Sequence, residues 1–351
     1  MSHSIPLFPG AMGPDGYISC FDHLIEEDAL ERRLILKGGP GVGKSTFMRR
    51  IHAALCGSGE PATLCFCAGD PDSLDAVVVP HKGLLILDGT SPHTIDPKIP
   101  GAQDSIINLG QCLNEAAMRP RLKHIKNVMA DHAACTRRAT ACLRAARPLI
   151  EDSAAIVASA MDKSQMAKMT RALIDSVLGS ASCSDAKVPR VRPVITDAVT
   201  PKGEICLLSS GQAKRIIRLT GHPATDFSPI LRAVSSAAQA KGFCASEHLD
   251  VLVPGRLKHL SLPQLSVLIT TAQVQPSEQI FDFSACISSG ALLRHECALE
   301  GEKAEIDMLI KRACAALAEA KLLHDELETF YVPNMDFSKW QEILDETLSS
   351  L

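Results

Sequence analysis

Between residues 33 and 88 the apolar positions fall into short runs separated by polar and glycine-rich stretches. Arg33-Leu34-Ile35-Leu36-Lys37, Ala62 to Cys67, Asp75 to Pro80 and Gly83 to Asp88 each have the length and content of a buried strand. Between the first two, Thr46 to Leu55 carries apolar residues at helical spacing. This alternation predicts an α/β sheet with its ligand edge at the strand ends. After about Ser105 the pattern changes. From Ile106 to Leu178, long Ala-, Leu- and Arg-rich stretches read as a helical hairpin or arm, with a break near Arg147-Pro148.

The pattern then recurs. Subtracting 174 pairs Arg312 with Arg138, Ala313 with Ala139, Leu317 with Leu143, Ala320 with Ala146, Met335 with Met161, Asp336 with Asp162 and Ser338 with Ser164, with no gap. Upstream, Pro201-Lys202-Gly203 resembles Pro14-Asp15-Gly16, Leu249 to Pro254 resembles Leu74 to Pro80, and Arg215-Ile216-Ile217 resembles Arg33-Leu34-Ile35. The chain reads as a tandem duplication. Its expected boundaries are a first unit at 1–115, a helical arm at 116–180, a linker at 181–195, a second unit at 196–287 and a second helical hairpin at 288–351.

The chemistry sits in the loop after the first strand. Gly38-Gly39-Pro40-Gly41-Val42-Gly43-Lys44-Ser45 fits G-x-x-x-x-G-K-[ST] at every fixed position, in strand–loop–helix context. Glycines let backbone N–H groups close around the β- and γ-phosphates, Lys44 adds a fixed cation, and the Ser45 hydroxyl is suited to ligate Mg²⁺. Gly38 to Ser45, with Thr46, are therefore the expected nucleotide-binding residues. Leu84-Leu85-Ile86-Leu87-Asp88 supplies the Walker B strand, and Asp88 joins Ser45 as an expected magnesium ligand. The fold class follows: α/β, as tandem P-loop NTPase-like units, each a mainly parallel sheet with flanking helices plus a helical hairpin.

The second copy of the loop is altered. Gly221-His222-Pro223-Ala224-Thr225-Asp226-Phe227-Ser228 keeps the first glycine, the proline and the serine, but Phe227 meets Lys44, Asp226 meets Gly43, and Thr270 meets Asp88. A carboxylate and a ring in place of a cation predict that the second unit does not bind a triphosphate in the usual way. One active site, in the first half, is expected.

Composition narrows the setting. The 351-residue chain carries a net charge of −4 with its basic residues scattered, which predicts no nucleic-acid partner. Thirteen cysteines without a C-x-x-C, and an N-terminus without a basic region followed by an apolar core, predict a reduced, cytoplasmic protein. No apolar run approaches the roughly 20 residues of a membrane span. Without an N-K-x-D segment, ATP is favoured over GTP. Aromatics are scarce, at 4 %, and Phe227, Tyr331 and Trp340 are expected in core or inter-repeat packing, with no adenine-stacking residue near the loop.

The chain resembles a family of two-repeat bacterial P-loop proteins described as ATPases or ATP-binding proteins. The likeness is carried by Gly38 to Thr46, Asp70-Pro71-Asp72-Ser73-Leu74-Asp75, Leu87-Asp88-Gly89-Thr90-Ser91-Pro92-His93, Asp96 to Ala102 and His324-Asp325-Glu326-Leu327-Glu328. It spans almost the whole chain. In that family the second repeat often keeps its own G-x-x-x-x-G-K-[ST], and here it does not.

Asp88 is followed by Gly89 rather than by the glutamate that activates water in motor-type ATPases, so fast hydrolysis is not assured and a base is sought elsewhere. Asp70, Asp72 and Asp75 follow the second strand and are candidates, against the plainer reading of a turn and helix cap. His93, beyond the Walker B strand, is a candidate γ-phosphate sensor or a histidine bonded to its own loop. The candidate catalytic set is Lys44, Asp88, Asp72 and His93. The leading expectation is a slow or regulated Mg-dependent ATPase acting as a nucleotide switch. A small-molecule or nucleotide kinase, and a scaffold with a stabilising ATP site and a protein partner on its helical arms, are the alternatives.

Overall fold

The computed structural model describes residues 5–183, 188–209, 211, 213–274 and 279–351, and in it the apolar runs become two mixed sheets joined by long helices. The first half opens with a hairpin, β1 (Gly10–Gly13) and β2 (Gly16–Ser19), and continues through β3 (Arg32–Lys37), α1 (Lys44–Gly57), β4 (Thr63–Phe66), β5 (Leu74–Val79), β6 (Leu84–Asp88) and β7 (Asp104–Asn108). The sheet runs in the order β4-β5-β6-β3-β7. Its β6–β3 and β3–β7 pairs are parallel, but β4–β5 and β5–β6 are antiparallel. The expected mainly parallel sheet is corrected to a mixed one. A tight turn at Pro80–Gly83, with Gly83 at φ 54°, folds β6 straight back on β5, and an antiparallel neighbour needs no crossover helix.

These strands are apolar throughout because both sheet faces are covered. Leu34, Leu36, Val77, Val79 and Ile86 pack with Phe47, Met48 and Ile51 of α1. On the other face Ile35, Ala76, Val78, Leu85 and Leu87 meet Phe21, Leu24 and Val194. The buried Arg33 guanidinium donates to Asp104 at 2.8 Å and ties β3 to β7.

The chain then enters α2 (Glu115–Met118), α3 (Leu122–Ser159) and α4 (Lys163–Leu178). The expected break at Arg147-Pro148 is absent. Pro148 lies inside α3 on its exposed side, where the Arg144 carbonyl it leaves unbonded can turn to water. The helix ends at residue 159, and Asp162 caps α4 by accepting from the Ser164 and Gln165 amides.

The second half comprises β8 (Val191–Val194), β9 (Asp197–Thr200), β10 (Gly203–Cys206), β11 (Arg215–Thr220), α5 (Ser228–Ala240), β12 (Ala245–Leu249), β13 (Leu257–Leu262), β14 (Val267–Thr270), β15 (Gln279–Asp282), α6 (Ser289–Leu292), α7 (Glu296–Tyr331) and α8 (Phe337–Ser349). Its sheet runs β15-β11-β14-β13-β12-β8, the order of the first sheet with one strand added at the edge. That added strand, β8, falls in the expected linker. Pro263 and Ser266, at φ 51°, stand 183 residues after Pro80 and Gly83 and make the same turn, so β13 is the counterpart of β5. The expected match of Leu249 to Pro254 with Leu74 to Pro80 is thereby corrected, and Arg215 lies over Arg32 rather than Arg33. By the same spacing Thr271, not Thr270, occupies the position of Asp88.

The helices do not form the two hairpins read from the sequence. α3 pairs with α7 along its length, and the two run antiparallel: His124 meets Glu326, Arg138 meets Glu319, and Ser153 meets Glu302. Ala139, Leu143, Ala313 and Leu317 lie at the centre of this pair. Consequently α4 packs on α5 of the second half and α8 on α1 of the first. The backbone records the same exchange reciprocally, since Leu113 bridges Met335 and Met161 bridges Ile287. Burial of Leu344 on α8 alone contributes about 1.5–3 kcal/mol to the first half's core.

A fragment ending at residue 183 keeps β1 through α4 and loses α7 and α8. It is expected to self-associate, with two copies of α3 pairing as α3 and α7 do here, so light scattering should report a dimer or larger species. A folded monomer would contradict the mutual dependence of the halves.

Candidate functional site

The loop from Gly38 to Gly43 joins β3 to α1 at the carboxyl end of the strand. Gly41 and Gly43 adopt φ of 68° and 83°, a left-handed backbone that side chains resist. Gly43 is the N-cap of α1, and no side chain satisfies the amides of the first turn, which leaves them open to an anion. Val42 is buried beneath the loop and Thr46 is exposed on the first turn.

Lys44 Nζ folds back over the loop, donating to the carbonyls of Gly38 and Gly39 at 3.0 Å each and lying 3.5 Å from Asp88 Oδ2. Asp88 ends β6, and its other oxygen accepts from Thr90 N at 2.9 Å and Thr90 Oγ1 at 2.5 Å. Ser45 Oγ accepts from Leu74 N at 3.0 Å, which fixes the start of α1 to the start of β5. The next residue on β5 is Asp75. Thus Lys44 faces Asp88, and Ser45 is held against the start of β5, one residue before Asp75.

The three candidate bases divide by position. Asp70 holds a turn by accepting from Ser73 Oγ at 2.8 Å and also faces Lys321 at 3.4 Å. That turn leads into a strand, not a capped helix. Asp72 is 75 % exposed and pairs with Lys202 of the second half at 2.5 Å, while its carbonyl accepts from Arg49. It is not brought to the Lys44–Asp88 cluster. Asp75 is buried, and one ligand atom from each of Asp75, Asp88 and His93 lies within 4.8 Å of the others. Burial, with Asp88 adding to it, pushes the Asp75 carboxyl up to about 7, against the pull of the Cys67 thiol hydrogen bond and of Lys44. Asp75 adjoins two expected signals, a strand end and an acidic segment, but nothing in sequence separates it from Asp72, three chain positions away on a different surface.

His93 sits on a loop tied down by Lys37, whose Nζ donates to the carbonyls of Gly89 and Ile95 at 2.8 Å each. Its ring stacks on Phe21, centroids 4.7 Å apart, and on Tyr17 at 5.9 Å. Nδ1 lies 3.4 Å from Tyr17 Oη, while Nε2 is buried without a partner among the described residues. Burial lowers its pKa and keeps the ring neutral near pH 7. The phenol of Tyr17 is likewise pushed up by burial first and Asp75 second.

The outer surface of the loop is covered by the second half, and the inter-repeat packing expected of Tyr331 and Trp340 brings both rings against it. A Cβ on Gly39 would lie 2.8 Å from Tyr331 Cε1, one on Gly41 2.9 Å from Val332 Cγ2, and one on Gly43 3.2 Å from Trp340 Nε1. These glycines answer to the α7–α8 corner as well as to their own φ. Trp340 is 5 % exposed, meets Phe47 edge-on at 5.6 Å, and holds its indole N–H without a partner among the described residues. The packing role expected of Trp340 is met, but against the loop itself.

The second loop differs in its chemistry. Ser228 Oγ accepts from Leu257 N at 2.8 Å, the counterpart of the Ser45–Leu74 bond. Asp226, however, accepts from Ser228 N at 2.9 Å and pairs with Arg256 at 3.1 Å. A carboxylate of the chain thus occupies the first turn of α5 with its own cation. Phe227 packs into the core against Phe283. This loop faces a cavity of about 1000 Å³ lined by Arg218, His222, Asp226, Arg256, Lys258 and Thr271.

Among the described residues no helix is long and apolar enough to cross a membrane. Comparison with protein-family models, curated proteins and solved structures gives no match to this chain.

In metal-free protein, Asp75 is expected to make stability depend on pH. Its folded pKa of about 7 lies above the ordinary carboxylate value of 3.8, so its contribution is full below about 4 and declines as pH rises through 7, by at most about 4 kcal/mol. His93, with a lowered pKa, gives a slope of opposite sign. Melting temperatures of wild type and Asp75→Asn between pH 4 and 8 isolate the first effect. Equal slopes in the two proteins would show that Asp75 does not hold a proton there.

Proposed function

We propose that this chain binds Mg-ATP at a single site in its first half and hydrolyses it slowly, as a nucleotide-dependent switch. One observation carries the reading: Lys44 Nζ lies between the loop carbonyls and Asp88, at the open N-terminus of α1, with Ser45 anchored beside Asp75. A triphosphate entering the loop takes over the lysine from those carbonyls and meets the free first-turn amides.

The donor set suits a hard cation. Ser45 Oγ and the Asp88 carboxylate would hold magnesium, with the Asp75 carboxylate near enough to join through water. When bound, magnesium neutralises charge on the β- and γ-phosphates. The chain's own residues do the rest. Lys44 orients the phosphates, Asp75 accepts a proton from water near neutral pH, and His93 with Tyr17 and Phe21 closes the inner wall. Asp75 thereby supplies the base missing after Asp88.

The two halves read as a tandem duplication of P-loop-like units. Matching strand order, the shared turn at Pro80 and Pro263, and the paired Ser45–Leu74 and Ser228–Leu257 bonds support that reading. The second unit has lost the lysine and fills its helix N-terminus with Asp226, so it serves the first by lending it the α7–α8 corner. Nucleotide in the first loop would act on that corner through Tyr331 and Trp340, and so on the helical pair.

ATP binding and ADP release should be compared in wild type, Lys44→Ala and Asp75→Asn. Lys44→Ala is expected to abolish measurable binding and turnover. Asp75→Asn should still bind but lose roughly 10²- to 10⁴-fold in turnover, the usual worth of a general base. Hydrolysis unchanged in Lys44→Ala would remove the reading, and ADP release only on adding an acceptor would turn it into a kinase.

A further inference from the structure

The second half buries polar side chains where the first half is apolar or small. His248 and His259 stand 183 residues after Cys65 and Ala76, and both are 1 % exposed. Asp197 and Cys206, paired across the β9–β10 hairpin, occupy the places of Gly10 and Ser19, paired across β1–β2. Neither a degenerate loop nor packing requires this exchange, and buried polar groups are costly unless every one is matched.

The groups converge. His259 Nε2 lies 2.9 Å from Asp197 Oδ2, and its Nδ1 lies 2.8 Å from Thr270 Oγ1 and accepts from Thr271 N at 3.3 Å. Thr196 Oγ1 donates to the same Asp197 oxygen at 3.0 Å, while Asp197 Oδ1 faces Lys258 at 3.9 Å. The Cys206 thiol bonds to Asp197 and accepts from the Leu208 amide, and Cys206 is exposed to solvent on its outer side. The ligand atoms of Asp197, Cys206 and His259 all lie within 4.8 Å of one another.

We propose that Asp197, Cys206 and His259 form a zinc site with a fourth position open to water. A thiolate, an imidazole and a carboxylate are the donor types that zinc accepts together, and three protein ligands with one open position is the arrangement of reactive rather than purely structural zinc. Zn–N near 2.0 Å and Zn–S near 2.3 Å require the donor atoms to close to within about 4 Å, a change within reach of a Cys206 rotamer. On binding, the Cys206 thiol releases its proton to solvent. The His259 hydrogen moves from Nε2 to Nδ1, where Thr270 Oγ1 accepts it and the Thr271 amide contact is given up. Thr270 then orients the ring, as outer partners of zinc-bound histidines do. Lys258 and Thr271 line the 1000 Å³ cavity and touch Asp197 and His259, so the open position lies next to a space able to take a small molecule. This site is independent of the nucleotide reading.

Cobalt(II) is the probe. Full-length, reduced, chelator-treated protein should take up one equivalent and show thiolate-to-cobalt charge transfer with tetrahedral d–d bands, which zinc then bleaches. Cys206→Ser, at an exposed position, should fold as judged by circular dichroism and lose the charge-transfer band. Lys44→Ala and Cys56→Ser should keep it, the latter because Cys56 and His52 form a separate thiol–imidazole contact at 3.5 Å on α1. Absence of the bands in folded wild type overturns the proposal, as does their survival in Cys206→Ser or their loss in Cys56→Ser.

Discussion

The antiparallel pairing of α3 with α7 governs the rest of the molecule. Alanines at 139, 146, 313, 316 and 320 let the two helices approach closely, and Leu143 and Leu317 fill the seam between them. Because the pair is antiparallel, each long helix delivers its successor to the far half. α4 therefore covers α5, and α8 covers α1. Neither half owns its complete core, and the candidate site inherits that condition: its inner wall comes from Tyr17 on β2, Phe21 just after it and the loop after β6, its outer wall from the α7–α8 corner.

Within the site the governing quantity is charge. Asp75 and Asp88 lie close together in a dry place with Lys44 as the nearest cation, and the carboxyl of Asp75 responds by keeping its proton to near neutrality. A region so arranged is frustrated without a ligand and is relieved by one that brings its own positive charge. The second half resolves the same problem internally. Asp226 and Arg256 complete one another at the start of α5.

Much of this was legible in the chain. The strand–loop–helix around Gly38 to Ser45 and the aspartate ending β6 follow from residues that each carry a mechanism at a fixed spacing. Strand direction was not legible, because the apolar runs of β4 and β5 look the same in either orientation. A proline reads as a helix break, yet Pro148 is on the solvent side of α3 and the helix passes through it. Inter-repeat packing of Tyr331 and Trp340 was legible, but not that the surface they cover is the Gly38–Gly43 loop. The base was narrowed to three aspartates. Asp72 lies in the exposed turn closed by Asp70, and Asp75 in the buried strand that follows it, a difference that only backbone geometry expresses. A small error in the placement of gaps likewise set Thr270 where Thr271 stands.

Trp340 is the single tryptophan of 351 residues, and its indole nitrogen lies 3.2 Å from where a side chain on Gly43 would begin. Emission excited beyond the tyrosine absorption edge therefore arises from one ring on the back of the Gly38–Gly43 loop, carried there by a helix of the opposite half. The molecule holds a built-in optical gauge of whether loop and corner are in contact, one that needs no label and is silent about every other part of the chain.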